Sequence, residues 1–469
     1  MSETPSVVNG WLTQGATKTT VQVRFASKFS LWVQSDDEEL PIAPGEGASL
    51  TIRVGDRMID LGPCCSFPEE SSSGHSRRIA PTEKLHDFET LFSRSRVEIL
   101  DSSLMNLPLL LGHKERVKPA FRAFVSSLTY DLNVYKNLLD KLDAECRSEP
   151  SSVREHVQAR LLAMVGEQLS TYLDESLKTL ERVIAEFSGD EHEQHGFYFR
   201  KQLWSFILTA PIMARTNLKP RGYSGDSEMM RMIYLNAHSG ESTFGKILHK
   251  HVVAQDAAQA VRNRKSDVAA MVRCRLDSPV LRPGERYRVL SVACGPAFEL
   301  RDILQIPDDY ERVHFSLLDQ DQHALMEAAS LVKDLEARHQ AKLSVDFIRE
   351  SVRTMLFTGA LRDRWGKFQF IYSMGLFDYL TPPVAQAVLR KLHTLLTVGG
   401  EMIVGNFSPD NPSRTYMEYW LDWKIIHRSP EEFLGLASTL PGVAAAVQFD
   451  KTGVQMFLRI TKQEGDGED

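Results

Sequence analysis

The stretch Tyr287 to Leu300, YRVLSVACGPAFEL, taken with Asp319, constrains the fold of this chain more than any other feature. Val289, Leu290 and Val292 are β-prone and suit a buried strand. A turn of small residues follows, Ala293-Cys294-Gly295-Pro296-Ala297, and Phe298 to Leu304 reads as a helix. A second apolar strand, Val313 to Leu318, ends at Asp319. Strand, small-residue turn, helix, and a strand closing on an acid form a nucleotide-binding layout. The turn lets backbone N–H groups approach a ligand closely, and the acid accepts hydrogen bonds from ribose hydroxyls. The complete G-x-G-x-x-G pattern is missing: Ala293 and Ala297 stand where glycines could be, and Phe298 takes the last glycine position. This disfavours a pyrophosphate resting on the helix N-terminus, and with it an NAD oxidoreductase. A cofactor without phosphates fits better. The structural alternative is an ordinary βαβ turn with a solvated aspartate.

From Arg286 onward strands and helices alternate. The expected strands are Val289–Val292, Val313–Leu318, Leu343–Ile348, Phe368–Tyr372, Glu401–Gly405, Val447–Asp450 and Val454–Ile460. Helical patterns lie between them, such as Gln322–Lys342 and Pro383–Leu396. The pattern predicts an α/β domain, a Rossmann-like parallel sheet with helices on both faces and a closing antiparallel pair. Ligands of such sheets sit beyond the carboxyl ends of the strands.

The turn at Ala293–Ala297 resembles the first motif of class I S-adenosylmethionine (SAM) methyltransferases, and Asp319 resembles their ribose-binding acid. The resemblance implies that Ala293, Cys294, Gly295 and Pro296 face the amino-acid part of SAM, and Asp319 with Gln320 and Asp321 the ribose. It places Ser351, Val352 and Arg353 near adenine. Ser373, Met374 and Gly375 follow the fourth strand, and Asn406-Phe407-Ser408 the fifth. Three longer motifs are more specific: LKPRGYSGDSEMMRMIY (Leu218–Tyr234), IYSMGLFDYL (Ile371–Leu380) and GNFSPDNPSRTYMEYWLDWKIIHRS (Gly405–Ser429). Over roughly residues 200–460 they resemble the bacterial 3-hydroxypalmitic acid methyl ester synthase family, SAM-dependent methyltransferases associated with a fatty-acid methyl ester quorum-sensing signal.

The implied reaction is O-methylation of the carboxylate of a 3-hydroxy fatty acid. A carboxylate is already anionic near neutral pH, so no general base is needed. What is needed is desolvation, alignment, and a cation or hydroxyl to steer the acid. Arg221, Tyr223, Tyr416 and Arg428 are the candidates from the matching motifs. Asp378 and Tyr379 lie near the expected transfer point, and Asp378 would be the base for a neutral amine or hydroxyl acceptor. Asp226 and Glu228 could order Arg221 or face the sulfonium. Each has a structural alternative. Arg221 and Asp226 could cap and pair at the start of a Ser227–Tyr234 helix. Tyr416, Trp420 and Trp423 recur at helical spacing and could be core, and Arg428 could be a surface ion pair. Two rival functions are a methyltransferase with another small-molecule acceptor and a non-enzymatic regulatory adaptor.

The 469 residues suffice for two or three domains. We expect a small β domain over 1–100, a helical cap over 101–280, the methyltransferase domain over 281–462 and an acidic tail over 463–469. Residues from about 6 to 65 alternate in the β manner, suggesting a small sheet or barrel. Within it Arg57 to Cys64 resembles a strand of a degenerate PilZ-like barrel, without the paired arginines upstream that grip cyclic di-GMP. Ser66 to Thr82 reads as a polar linker. Val117 to Tyr135 and the stripe Val157, Leu161, Val165, Leu169, Leu173, Leu177, Leu180, Ile184 read as a helical bundle, with a capping box at Ser152 and Glu155. The cluster Glu191, His192, Glu193, His195 reads as a solvated loop rather than a metal site, and His249 and His251 as structural or exposed. The net charge of −7 gives no reason to expect nucleic acid or an anionic membrane as partner. Leu104 to Leu111 is too short for a membrane span, and the N-terminus lacks a secretory signal. Five scattered cysteines fit a reduced cytoplasmic setting. The partner expected is a small molecule; the sequence leaves the oligomeric state open.

Overall fold

The computed structural model describes residues 8–15, 17–27, 30–35, 40, 47–54, 57–67, 76–82, 113–277, 285–359 and 361–464. The chain divides into two compact units, Met1–Arg116 and Val117–Asp469.

In the first unit, alternation of apolar and polar residues builds a closed six-stranded barrel. Its strands are β1 (Val8–Gln14), β2 (Thr17–Ser27), β3 (Ser30–Gln34), β4 (Gly47–Val54), β5 (Arg57–Phe67) and β6 (Ser76–Pro81). They close in the order β1-β2-β3-β6-β5-β4, every neighbour antiparallel. The period of two sends Val21 and Val23, Leu31 and Val33, and Leu50 and Ile52 into one core. Closure leaves no unpaired sheet edge. The linker expected over Ser66 to Thr82 is corrected here. It contains the end of β5 and the whole of β6, whose Ile79 pairs with Leu31 and is buried. A strand with only Ile79 and Ala80 between Arg78 and Pro81 carries almost no local signal, because its partners are remote in sequence. Residues 1–7 and 68–75, the stretch Leu104 to Leu111 and the tail residues 465–469 lie outside the described residues.

The second unit begins with helices. They are α1 (Pro119–Cys146), α2 (Ser151–Ile184), α3 (Gly189–Gln202), α4 (Pro211–Leu218), α5 (Ser227–Leu235), α6 (Thr243–Ala254) and α7 (Asp256–Leu276). Apolar stripes of α1 and α2, including Phe121, Val125, Leu128, Leu132, Leu169, Leu173 and Leu180, share a core with α3 to α7. The capping box expected at Ser152 does not form: α2 starts at Ser151 behind Pro150, with no side-chain cap. The capping box lies at Ser188 and Glu191 instead. The solvated loop expected at Glu191–His195 is therefore the first turn of α3. His195 is buried, and its Nε2 accepts from the Lys118 N–H at 3.0 Å. Two flanking glycines suggested a loop, but tertiary burial outweighs their weak helix propensity.

The α/β layer follows, with β7 (Tyr287–Val292), β8 (Val313–Asp319), α8 (Gln322–His339), β9 (Ser344–Arg349), β10 (Phe368–Ser373), α9 (Pro382–Leu395), β11 (Leu396–Phe407), α10 (Arg414–Tyr419), α11 (Pro430–Gly435), β12 (Val443–Phe449) and β13 (Gln455–Lys462). The sheet order is β12-β13-β11-β10-β7-β8-β9. β11, β10, β7, β8 and β9 are parallel, and β13 runs antiparallel to both its neighbours. This is the methyltransferase-like arrangement, with the antiparallel strand inserted next to the edge. The helix expected over Phe298 to Leu304 shrinks to one turn, Leu300–Ile303. The chain runs outward from β7 to β9, then returns to β10 on the other side of β7. The strand order reverses between β7 and β10, which opens a crevice at their carboxyl ends. No helix of the described residues is long and apolar enough to cross a membrane.

Candidate active site

A cavity of about 320 Å³ fills that crevice. Its floor is the turn after β7. Cys294 N–H donates to Leu318 C=O at 3.0 Å, which ties the turn to β8. Ala293, Gly295 and Ala297 all adopt left-handed backbone, with φ of 54°, 55° and 51°. Two alanines in that region cost on the order of 1 kcal/mol each relative to glycine. The turn thus forms with only one of the three glycines of a phosphate loop, Gly295.

Asp319, 7% exposed, lines the cavity at the end of β8. Its Oδ2 accepts from Gly295 N–H and its Oδ1 from Asp321 N–H, each at 2.9 Å. Burial raises its pKa, and these N–H donors oppose the rise. Each oxygen keeps a second lone pair, the arrangement needed to receive a pair of hydroxyls. Cys294, Pro296 and Gln320 also line the cavity, as do Met374 and Gly375. In the third segment only Val352 does so. Ser351 caps the short helix Val352–Phe357 by accepting from Thr354 N–H, and Arg353 is exposed. Ser373 is fully buried and donates to Val292 C=O at 2.8 Å, joining β10 to β7.

The far wall combines the three long motifs. Tyr223 and Gly225 come from the loop between α4 and α5, Asp378 and Tyr379 from the turn after β10, and Trp423 from the segment after α10. Trp423 Nε1 donates to Tyr379 Oη at 2.7 Å. Gly225 lies so close that a Cβ there would sit 2.5 Å from Tyr379 Oη. Asp378, 4% exposed, accepts from Phe407 N–H at 2.9 Å and Asn406 Nδ2 at 3.1 Å. Burial raises its pKa to about 6, with Arg264 and Arg428 pulling the other way.

Four motif residues, Arg221, Asp226, Glu228 and Tyr416, have other positions than those expected from sequence. Arg221 does not line the cavity. It pairs with Asp321 at 2.8 Å and Glu327 at 3.5 Å, fastening its loop to the start of α8. Neither Asp226 nor Glu228 orders it: Asp226 caps α5 and pairs with Arg215 at 2.7 Å, and Glu228 pairs with Arg231. Tyr416 sits in the bundle core. Its hydroxyl lies 2.9 Å from His251 Nδ1, and His251 Nε2 lies 3.0 Å from Asp174. An acid only accepts, so Nε2 donates to Asp174, and a neutral ring accepts from Tyr416 at Nδ1. Tyr419 and Trp420 likewise pack on Phe199, with ring centroids 5.8 and 5.2 Å away.

Arg428 is buried rather than in a surface pair. It donates to Phe377 C=O at 2.8 Å, and also to Leu380 C=O and Asn406 Oδ1. These bonds clamp the turn that carries Asp378 and Tyr379. Arg428→Met leaves those acceptors buried without donors and is expected to destabilise the second unit by about 2–4 kcal/mol. Denaturant unfolding checks this; a change below about 0.5 kcal/mol would mean that the clamp is dispensable.

Glu299 and Arg264 are among the cavity residues that escaped the sequence reading. Glu299 follows the first turn, is buried, and accepts from Tyr372 Oη at 2.6 Å; burial raises its pKa. It was legible only as the acid in AFEL. Arg264 belongs to α7 and to no motif. Among the described residues no cluster of side chains is arranged to hold a metal ion, and all five cysteines are free.

No protein-family model matches the chain, and no curated protein matches it in sequence. Among solved structures it is similar to a possible exported protein from Bordetella parapertussis, with 17% identity over 51% of this chain and 80% of that one, at a TM-score of 0.40. Magnesium protoporphyrin IX methyltransferase from Synechocystis PCC 6803 gives 11% identity over 44% and 87%, at 0.33. The 1,6-didemethyltoxoflavin-N1-methyltransferase from Burkholderia thailandensis gives 14% over 45% and 85%, at 0.30. Likenesses this distant decide nothing about the chemistry, which rests on the geometry of the site.

Proposed function

We propose that the chain is a SAM-dependent methyltransferase that esterifies the carboxylate of a 3-hydroxy fatty acid. The observation that carries the cofactor is Asp319, held by two backbone N–H groups at the lip of a crevice whose turn keeps only one phosphate-loop glycine, Gly295. SAM fits this donor set: Asp319 takes the ribose, and the Cys294–Pro296 turn and Glu299 meet the amino-acid end. The bound cofactor supplies an electrophilic methyl group beside a cationic sulfur. The protein's part is to bind, orient and exclude water. Tyr223, Gly225, Tyr379 and Trp423 wall the site, while Phe407, Ile425, Leu376 and Met230 give it an apolar side suited to an acyl chain. With SAM held there, its methyl group would pass to the acceptor oxygen, the carbon–sulfur bond electrons leaving with sulfur. Anion and cation cancel, and no proton moves.

The 3-hydroxy fatty acid is named because three long motifs resemble enzymes that make such esters, and a quorum-signal role in the cytoplasm belongs to the same reading. The barrel would be a PilZ-like accessory module. Methyl-labelled SAM incubated with 3-hydroxy acids of graded length tests the proposal. Label should enter the esters of long chains at least about tenfold faster than short ones; indifference to length refutes the fatty-acid assignment. One observation favours a neutral acceptor instead: Asp378, with its pKa of about 6, could serve as a base.

A further inference from the structure

An acid acceptor requires a cation in the cavity, and the motif arginines are committed elsewhere, Arg428 to carbonyls and Arg221 to two acids. Arg264 is different. It lies midway along α7, is 6% exposed, and lines the cavity. Its Nη1 donates to Gln455 Oε1 at 3.2 Å, and its Nη2 reaches Met230 Sδ at 3.6 Å. Its Nε is buried with no hydrogen-bond partner. Among the described residues no carboxylate lies within ion-pair distance of it. Asp378 acts on its charge only from beyond that distance, and a guanidinium taken out of water with neutral hydrogen-bond partners costs stability, so such groups are ordinarily paired. Gly375 contributes to the arrangement: a Cβ there would lie 3.3 Å from Nη2, so glycine leaves this edge of the guanidinium uncrowded.

The neighbours of Arg264 show which half of the cavity it serves. Gln455 opens β13, Gly375 follows β10, and Met230 belongs to α5. None comes from the β8–β9 side, where the ribose acid stands. We propose that Arg264 is the receptor for the acceptor's carboxylate. The proposal rests on the methyltransferase reading above. Guanidinium and carboxylate match as a two-pronged pair, which fixes orientation as well as affinity. Methylation then removes the charge that Arg264 holds. The ester is neutral, so the contact that admits the acid does not retain the product.

The cofactor also carries a carboxylate, and the experiment separates the two sources. The full chain, Arg264→Met and Arg264→Lys are titrated with S-adenosylhomocysteine, 3-hydroxypalmitic acid and its methyl ester. The unmutated protein should prefer acid to ester by about 30-fold or more. Arg264→Met should lose that preference and keep S-adenosylhomocysteine affinity within about threefold, which also shows that it is folded. Arg264→Lys should retain much of the preference through its charge. An undiminished preference in Arg264→Met overturns the proposal, as does the absence of any preference in the unmutated protein. Lost S-adenosylhomocysteine binding with the preference intact assigns Arg264 to the cofactor instead. Failure of the unmutated protein to bind S-adenosylhomocysteine refutes the methyltransferase reading, while the acid-to-ester ratio still reports on Arg264.

Discussion

Asp319→Ala should weaken S-adenosylhomocysteine binding by about 100-fold or more, because the side chain does two jobs at once. It receives the ribose hydroxyls, and it holds the turn after β7 and the entry to α8 through Gly295 and Asp321 N–H. Hydrogen bonds to a charged acceptor contribute about 1.5–3 kcal/mol each, so losing two to the ligand alone reaches this range. Asparagine offers no clean rescue. Both carboxylate oxygens accept N–H groups, so an amide would aim its own N–H at one of them. Calorimetry on the folded variant decides the matter. Affinity within about threefold of the parent would show that Asp319 is a structural acid and that the cofactor lies elsewhere.

The second large effect concerns Asp378 and pH. Its folded-state pKa is raised from the ordinary 3.8 to about 6 by burial. In that window the folded protein binds more proton than the unfolded chain, so stability falls as pH rises from about 4 to about 6 and is flat above. The full loss is about 3 kcal/mol by linkage. Asp378→Asn keeps an oxygen for Phe407 N–H and removes the charge. It should be more stable than the parent at pH 7, by about 1–3 kcal/mol, and indistinguishable from it near pH 4. Unfolding at the two pH values gives the comparison; an equal difference at both would mean that burial does not set this group's titration. The same variant separates acceptor classes. An acid needs no base, so its turnover should change less than about tenfold, whereas a neutral amine or hydroxyl would lose about 10²–10⁴-fold.

The α/β layer was readable because its strands are continuous apolar runs separated by helices, which mark a sheet buried on both faces. Asp319 was readable because strand, turn and acid occur in a fixed order over some thirty residues of β7 to β8. Strand β6 was not, since its pattern means little without β3 and β5 beside it. The roles of Tyr416 and Arg428 were also hidden. Tyrosine at helical spacing fits core and substrate wall equally, and only the His251–Asp174 contact and the Phe377 carbonyl tell them apart. Arg264 gave no local signal: an arginine in a polar-looking helix is ordinarily a solvated one, and its burial depends on Gln455, 191 residues away.

The contact of Gly225 with Tyr379, and of Tyr379 with Trp423, has an evolutionary consequence. Three segments from distant parts of the chain meet at one phenolic oxygen. None of the three can drift alone. In homologous chains an alanine at the glycine should appear only where the tyrosine has lost its hydroxyl or the tryptophan has shrunk. The three motifs should therefore be inherited as a set, and a chain carrying one without the others would not share this binding site.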